Sequence, residues 1–225
     1  MKTGASESFD RVPTQLMTML HCLPDFLIFS DKEQTIGDYH IQDALKTMLP
    51  MAMEGNSDFD VYRRQRDCAV DVKNCNEAAG NAASDGWNLD KYKNIHIAEK
   101  AYNLRPHYDW YIFVDADTYV LWPNLVQWLR TLDPAQKHYL GSVSLINNFP
   151  FAHGGSGYIL SRATLADFAG NNPGIGNRYD VRAKHECCGD YLLAVAINEV
   201  IKVPVHQVVR VLFLLLLVRL YVKVL

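Results

Sequence analysis

"DWYIFVDADTYV", residues 109–120, runs four apolar or aromatic side chains (111–114) toward an interior and then sets two carboxylates, Asp115 and Asp117, at the exit. Side chains alternate along an extended strand, so acids at i and i+2 share a side and repel one another unless a cation lies between them. The stretch therefore predicts a buried strand over 110–114 whose end is built to meet positive charge.

Working outward, "DFLIFSD" (25–31) reads as a second buried strand, of the parallel kind, followed by a loop. Residues 37–49 have helical spacing, and 88–104 place Tyr92, Ile95, Ala98, Glu99 and Tyr102 along one helical side before Pro106. The polar, small-residue stretch 54–86 reads as a long connection. After the Asp pair, Pro123 suits the first turn of a helix burying Leu125, Val126, Leu129 and Leu132. Residues 138–146 predict a further strand, "FPFAHGGSGYILS" (149–161) a glycine loop, and Ser161 a cap for a helix ending at Gly170. Residues 187–200 predict another helix, opened by Gly189 and Asp190. Strands alternating with helices make the chain α/β, with a mixed sheet.

Oxygen ligands such as Asp115 and Asp117 favour magnesium, manganese or calcium over zinc or copper. An EF-hand loop is excluded, because Tyr119 and Leu121 stand where further oxygen ligands and glycine should follow. A D-x-D phosphatase, a nucleotide-sugar transferase and a strand end that binds nothing all remain open at this point. "HGGSG" (153–157) lacks the third glycine of a dinucleotide fingerprint, and its glycines fit either a tight turn or a close approach to a bulky ligand such as a sugar ring. Asp190 complements the dipole of the helix it opens, and the same place suits a general base. His153, His185 and His206 read as surface or core histidines rather than ligands.

Nearly half of the 225 residues are apolar, enough for a sizeable core, and the formal net charge of −3 excludes the basic field that gathers nucleic acid. The five cysteines form no zinc pattern. Cys68 and Cys75 could close a small disulfide loop, and five reduced thiols fit the composition equally well. No signal peptide opens the sequence, so the expectation is either a cytosolic start or a catalytic piece without its anchor. Residues 208–225, "VVRVLFLLLLVRLYVKVL", form an apolar-basic tail whose uncharged core, 211–218, is too short for a membrane-spanning helix.

In this order the pieces resemble the Fringe-like β-1,3-glycosyltransferases (glycosyltransferase family 31), fungal members in particular. The resemblance runs from "KTGAS" (2–6) through "RVPTQLMT" (11–18), "LIFSD" (27–31), "DKYKN" (90–94), "WYIFVDADTYV" (110–120) and "HGGSGYILS" (153–161) to "CCGDYLLAVAI" (187–197). It argues against the phosphatase and leaves a catalytically silent, UDP-sugar-binding or interaction protein as the rival. It implies a GT-A-type fold over residues 1–207, a central mixed sheet flanked by helices. It also implies inverting transfer of a hexose or N-acetylhexosamine from a UDP-sugar to a glycan or glycoprotein acceptor in β-1,3 linkage. By the same resemblance Lys2, Thr3, Arg11 and Asp31 would line the nucleotide site, and Gly154 and Gly155 would border the donor sugar. Asp115 and Asp117 would hold manganese, and Asp190 would be the base, preceded here by Cys188-Gly189 in place of the family's adjacent acids. Family members are type II Golgi membrane proteins with a metal-binding histidine in a later strand. His206 comes early for that role, and the tail resembles nothing in the family. The expectation for such a chain is metal-dependent UDP binding, weak transfer, and association through the tail.

Overall fold

The structure, a computed structural model, describes residues 1–68, 72–77 and 82–208. The tail predicted over 208–225 thus lies outside the described residues except for Val208, whose backbone N–H donates to Gly141 O. In chain order the first half holds α1 (Ser8–Met17), β1 (Ile28–Ser30), β2 (Gln34–Ile36), β3 (Tyr39–Asp43), α2 (Pro50–Met53), α3 (Asp60–Asp67), α4 (Val72–Glu77), α5 (Ala82–Asp90) and α6 (Lys93–Leu104). The second half holds β4 (Trp110–Phe113), α7 (Trp122–Leu129), β5 (Tyr139–Gly141), β6 (Val143–Ile146), β7 (Phe149–Ala152), β8 (Tyr158–Ser161), α8 (Arg162–Leu165), α9 (Ile175–Ala183), α10 (Gly189–Ile201) and β9 (Val205–Gln207).

The strands form one ladder of order β2-β3-β1 and another of order β4-β8-β5-β9, with β6 and β7 a separate hairpin. Residues 1–3 splice the two ladders. Lys2 bridges Phe29 on one side and Asp115 on the other, both in parallel register. Its N–H donates to Val114 O at 2.8 Å, and Thr3 N–H donates to Phe29 O at 2.9 Å. The product is one mixed sheet. β1 and β3 run parallel, β4 and β5 are each antiparallel to β8, and β9 is parallel to β5.

Both faces of this sheet are covered, which the near-continuous apolar run of β4 demands. Tyr111 and Phe113 turn to the face packed by α6, α8 and α10, and Ile112 and Val114 to the face packed by α1 and α7. The alternation continues into Asp115, so the first acid emerges on the α6–α10 side. The mixed α/β architecture with a GT-A-type central sheet is as expected.

Several local readings need correction. Residues 37–49 are not a helix: β2 and β3 form a hairpin across the two-residue turn Gly37-Asp38, and β3 lies between β1 and β2. Ile41, spaced helically with Leu45 and Met48, is instead claimed by strand pairing on both sides. The stretch 54–86 is not a bare connection, since it contains α3, α4 and the start of α5. Phe59, Val61 and Tyr62 are buried there, and a Cys68–Cys75 disulfide ties the end of α3 to α4. The strand expected over 138–146 breaks at Ser142 into β5 and β6, and Val126 of α7 is exposed. Ser161 does cap its helix, accepting from Thr164 N–H, and the helix ends through a π turn at Gly170.

Candidate active site

The extended backbone stops at Asp115. A turn follows, in which Asp115 O accepts from Thr118 N–H at 2.9 Å. The second acid therefore lies on the turn and not on the strand, a correction to the simple i, i+2 picture. The inner one, Asp115, has Oδ1 3.3 Å from Lys2 Nζ, while Asp117 Oδ2 is 3.2 Å from an Arg11 guanidinium nitrogen. Helix α1 grips the turn from outside. Gln15, one helical turn after Arg11, donates from Nε2 to Ala116 O at 2.7 Å.

Lys2 opens onto a buried charge network. Its ammonium also pairs with Asp90, and Lys93 pairs with Asp31 at 2.9 Å and Asp90 at 3.4 Å. Lys93 and Asp31 have side chains only 2 % exposed. Lys93 further donates to Thr3 O, and Asp31 accepts from Ala5 N–H at 3.0 Å. Burial opposes the charge on Lys2, but Asp90 and Asp115 outweigh it and hold the ammonium above its ordinary pKa. Burial likewise works against ionised Asp90, and Lys2 and Lys93 overcome it, leaving that carboxyl below the ordinary value. Asp115 is pushed up, first by burial and then by neighbouring Asp90 and Asp117, against the pull of Lys2.

The third element is the glycine loop. Gly154 N–H donates to Asp190 Oδ2 at 2.7 Å, while Asp190 Oδ1 accepts from Tyr191 N–H at 2.8 Å. A Cβ on Gly154 would sit 3.3 Å from the Asp190 side chain, and one on Gly189 would come within 2.9 Å of Lys91 O. Glycine at 189 thus lets the first turn of α10 lie on the break between α5 and α6, which brings Asp190 to the side where Asp90 stands. Thr118 Oγ1 donates to Gly155 O at 2.9 Å and ties the Asp turn to the glycine loop. Burial, with Tyr139, Asp115, Asp190 and Asp90 nearby, pushes the Tyr158 phenol well above its ordinary pKa, so a neutral hydroxyl lies among these acids.

Each site residue named from the sequence thus belongs to one connected region. Lys2, Arg11, Asp115 and Asp117 are paired directly, and Thr3 and Asp31 join through Lys93. Gly154 holds Asp190, and Gly155 holds Thr118. Asp90, Lys93, Gln15 and Thr118 were not singled out. The first two lie within "DKYKN", where the chain breaks between α5 and α6 and both side chains join the Lys2 network. His206 stands exposed on β9. Among the described residues no three His, Cys, Asp or Glu side chains gather as a metal cage. Two carboxylates nonetheless suit a hard divalent ion, which takes its other ligands from phosphate oxygens and water. Cys187 and Cys188, just before α10, are joined to each other, and Cys22 is free. Among the described residues no helix is long and apolar enough to cross a membrane.

No curated protein matches this chain. A family model described as Fringe-like matches residues 28–213, a span that includes β1, the Asp pair, the glycine loop and α10. The match covers most of the sequence and points to glycosyl transfer in general, with a sugar donor and a glycan acceptor; the chain belongs to the Fringe-like family.

Proposed function

We propose that the chain is an inverting glycosyltransferase that moves a hexose or N-acetylhexosamine from a UDP-sugar to a glycan or glycoprotein, forming a β-1,3 linkage. The observation that carries this reading is the single hydrogen-bonded frame joining the Asp pair to Asp190 through Thr118 and the glycine loop. A donor-side acid pair and a base held on one frame suit a displacement in which leaving group and nucleophile must be in line.

Asp115 and Asp117 would hold a divalent ion, manganese by preference, which neutralises charge on the departing diphosphate. Lys2 and Arg11, already beside these acids, supply cationic groups to the diphosphate oxygens. Asp190 takes the proton from the acceptor hydroxyl, a contribution of typically ~10²–10⁴ in rate. The acceptor oxygen bonds to the anomeric carbon, the carbon–oxygen bond to UDP breaks, and UDP leaves with the electron pair. Each Asp190 oxygen accepts one backbone N–H and retains a lone pair for that proton. The disulfides fit an oxidising compartment, which with the family supports the Golgi lumen.

The test is calorimetric titration of UDP with manganese or with chelator, on the parent and on Asp117→Ala, beside sugar transfer by Asp190→Asn. Of the parent and Asp117→Ala, only the parent with manganese is expected to bind, and Asp190→Asn should bind UDP as the parent does while transfer disappears. Equal UDP binding in all samples would overturn the donor site, and full transfer by Asp190→Asn would move the base elsewhere.

A further inference from the structure

Lys2 occupies an unusual place for a sheet residue. Its backbone splices the two ladders, and its side chain, 14 % exposed, sets the ammonium between Asp90 and Asp115 at the inner end of the acid group. Asp190 is close enough for its charge to act on the same ammonium. At the outer end, Arg11 serves Asp117 in the same way. Both carboxylates that would hold a divalent ion are thus already paired to cations of this chain.

We infer that Lys2 is a built-in counter-cation that keeps the Asp115–Asp117 site weak for a free divalent ion until a nucleotide diphosphate arrives. The inference rests on the donor-site reading and deepens it. A neighbouring cation disfavours a proton on a carboxylate by roughly 10- to 1,000-fold, and a divalent ion is repelled at least as strongly. Diphosphate oxygens offer Lys2 and Arg11 another partner, which releases the acids to the metal. The ion and the diphosphate then enter together. Asp90 has the opposite influence: it draws Lys2 away from Asp115 and balances its charge, so it sets how far the ammonium opposes the ion.

The experiment is titration with manganese alone, without nucleotide, read from the electron paramagnetic resonance of free Mn²⁺. Lys2→Met should bind manganese at least tenfold more tightly than the parent, and Asp90→Asn about threefold or more weakly. Near-UV circular dichroism checks that each variant is folded. A folded Lys2→Met with parent-like or weaker manganese affinity overturns the inference, as does Asp90→Asn binding as tightly as the parent or tighter. If Lys2→Met does not fold, Lys2→Gln is titrated in its place, with the same tenfold gain expected and a parent-like affinity overturning the inference. The parent's UDP titration separates the two ideas. Failure of the parent to bind UDP with manganese removes the donor-site reading, whereas a tenfold gain in Lys2→Met still upholds Lys2 as the counter-cation.

Discussion

Replacing Lys93 by methionine keeps most of the side-chain volume and removes one charge from the deepest part of the network. Lys93 Nζ serves three acceptors: Asp31 Oδ1 at 2.9 Å, Asp90 Oδ1 at 3.4 Å and Thr3 O at 3.3 Å. Asp90 keeps Lys2, but Asp31 is left with the Ala5 N–H alone in a position 1 % exposed. Removing one partner of a buried ion pair costs about 3–5 kcal/mol, because the other charge remains without water. Total stability for a domain is roughly 5–15 kcal/mol, so the loss is a large share of it. With a urea m-value of about 3 kcal/mol/M, the midpoint should fall by about 1–1.7 M. The assay is equilibrium urea unfolding followed by far-UV circular dichroism. The double variant Lys93→Met with Asp31→Asn has no lone charge at this point and should unfold nearer the parent midpoint than Lys93→Met alone. A midpoint shift for Lys93→Met below about 0.3 M, or a double variant weaker than both singles, would refute the reasoning.

Gly141→Ala should destabilise by about 1–3 kcal/mol, because the new methyl would lie 2.6 Å from Ala152 Cβ, an atom fixed by its own backbone. Gly86→Ala meets nothing within 4 Å in α5 and should stabilise by about 0.5–1 kcal/mol; thermal unfolding reads both variants. Burial raises the Asp180 carboxyl, but His96 and the Leu49 and Asn177 N–H groups outweigh it and hold the carboxyl below its ordinary pKa. A depressed folded-state value means that its contribution is present above the unfolded value of about 3.9 and is lost as pH falls through the folded one. Asp180→Asn should therefore cost about 1–3 kcal/mol near pH 7 and progressively less below pH 4, in urea titrations repeated across pH.

Strand β4 and its acids were legible because periodicity and chemistry agree there: alternating burial, then two carboxylates where the strand ends. α10 and the cap at Ser161 were legible for the same reason. Residues 37–49 were misread because Ile41, Leu45 and Met48 recur at helical spacing, while the partners that make Ile41 a strand residue lie elsewhere in the chain. The Gly37-Asp38 pair was the local sign of the hairpin. The stretch 54–86 hid its packing because its contacts are distant: Asn56 donates to Tyr92 Oη, and Lys91 pairs with Asp58. Lys93 and Asp90 were invisible for a different reason. A charge on a helix reads as solvated unless its opposite charge is known, and Asp31 is far away in sequence. Gln15 gave no sign of gripping the Asp turn, because a helix glutamine has no preferred role.

The splice at residues 1–3 sets a condition on how the molecule comes into being. Lys2 must wait for Phe29 on one side and for Asp115 on the other. Contacts so far apart along the chain close slowly, because loop entropy is lost before any pairing rewards it. As the ribosome releases the protein, the β1–β3 ladder has its pairing partners early, yet its free edge stays open until residue 115 has emerged. The seam between the ladders is then a late event of folding. The site built along it, with Lys2 against Asp115, comes into existence only when that seam closes.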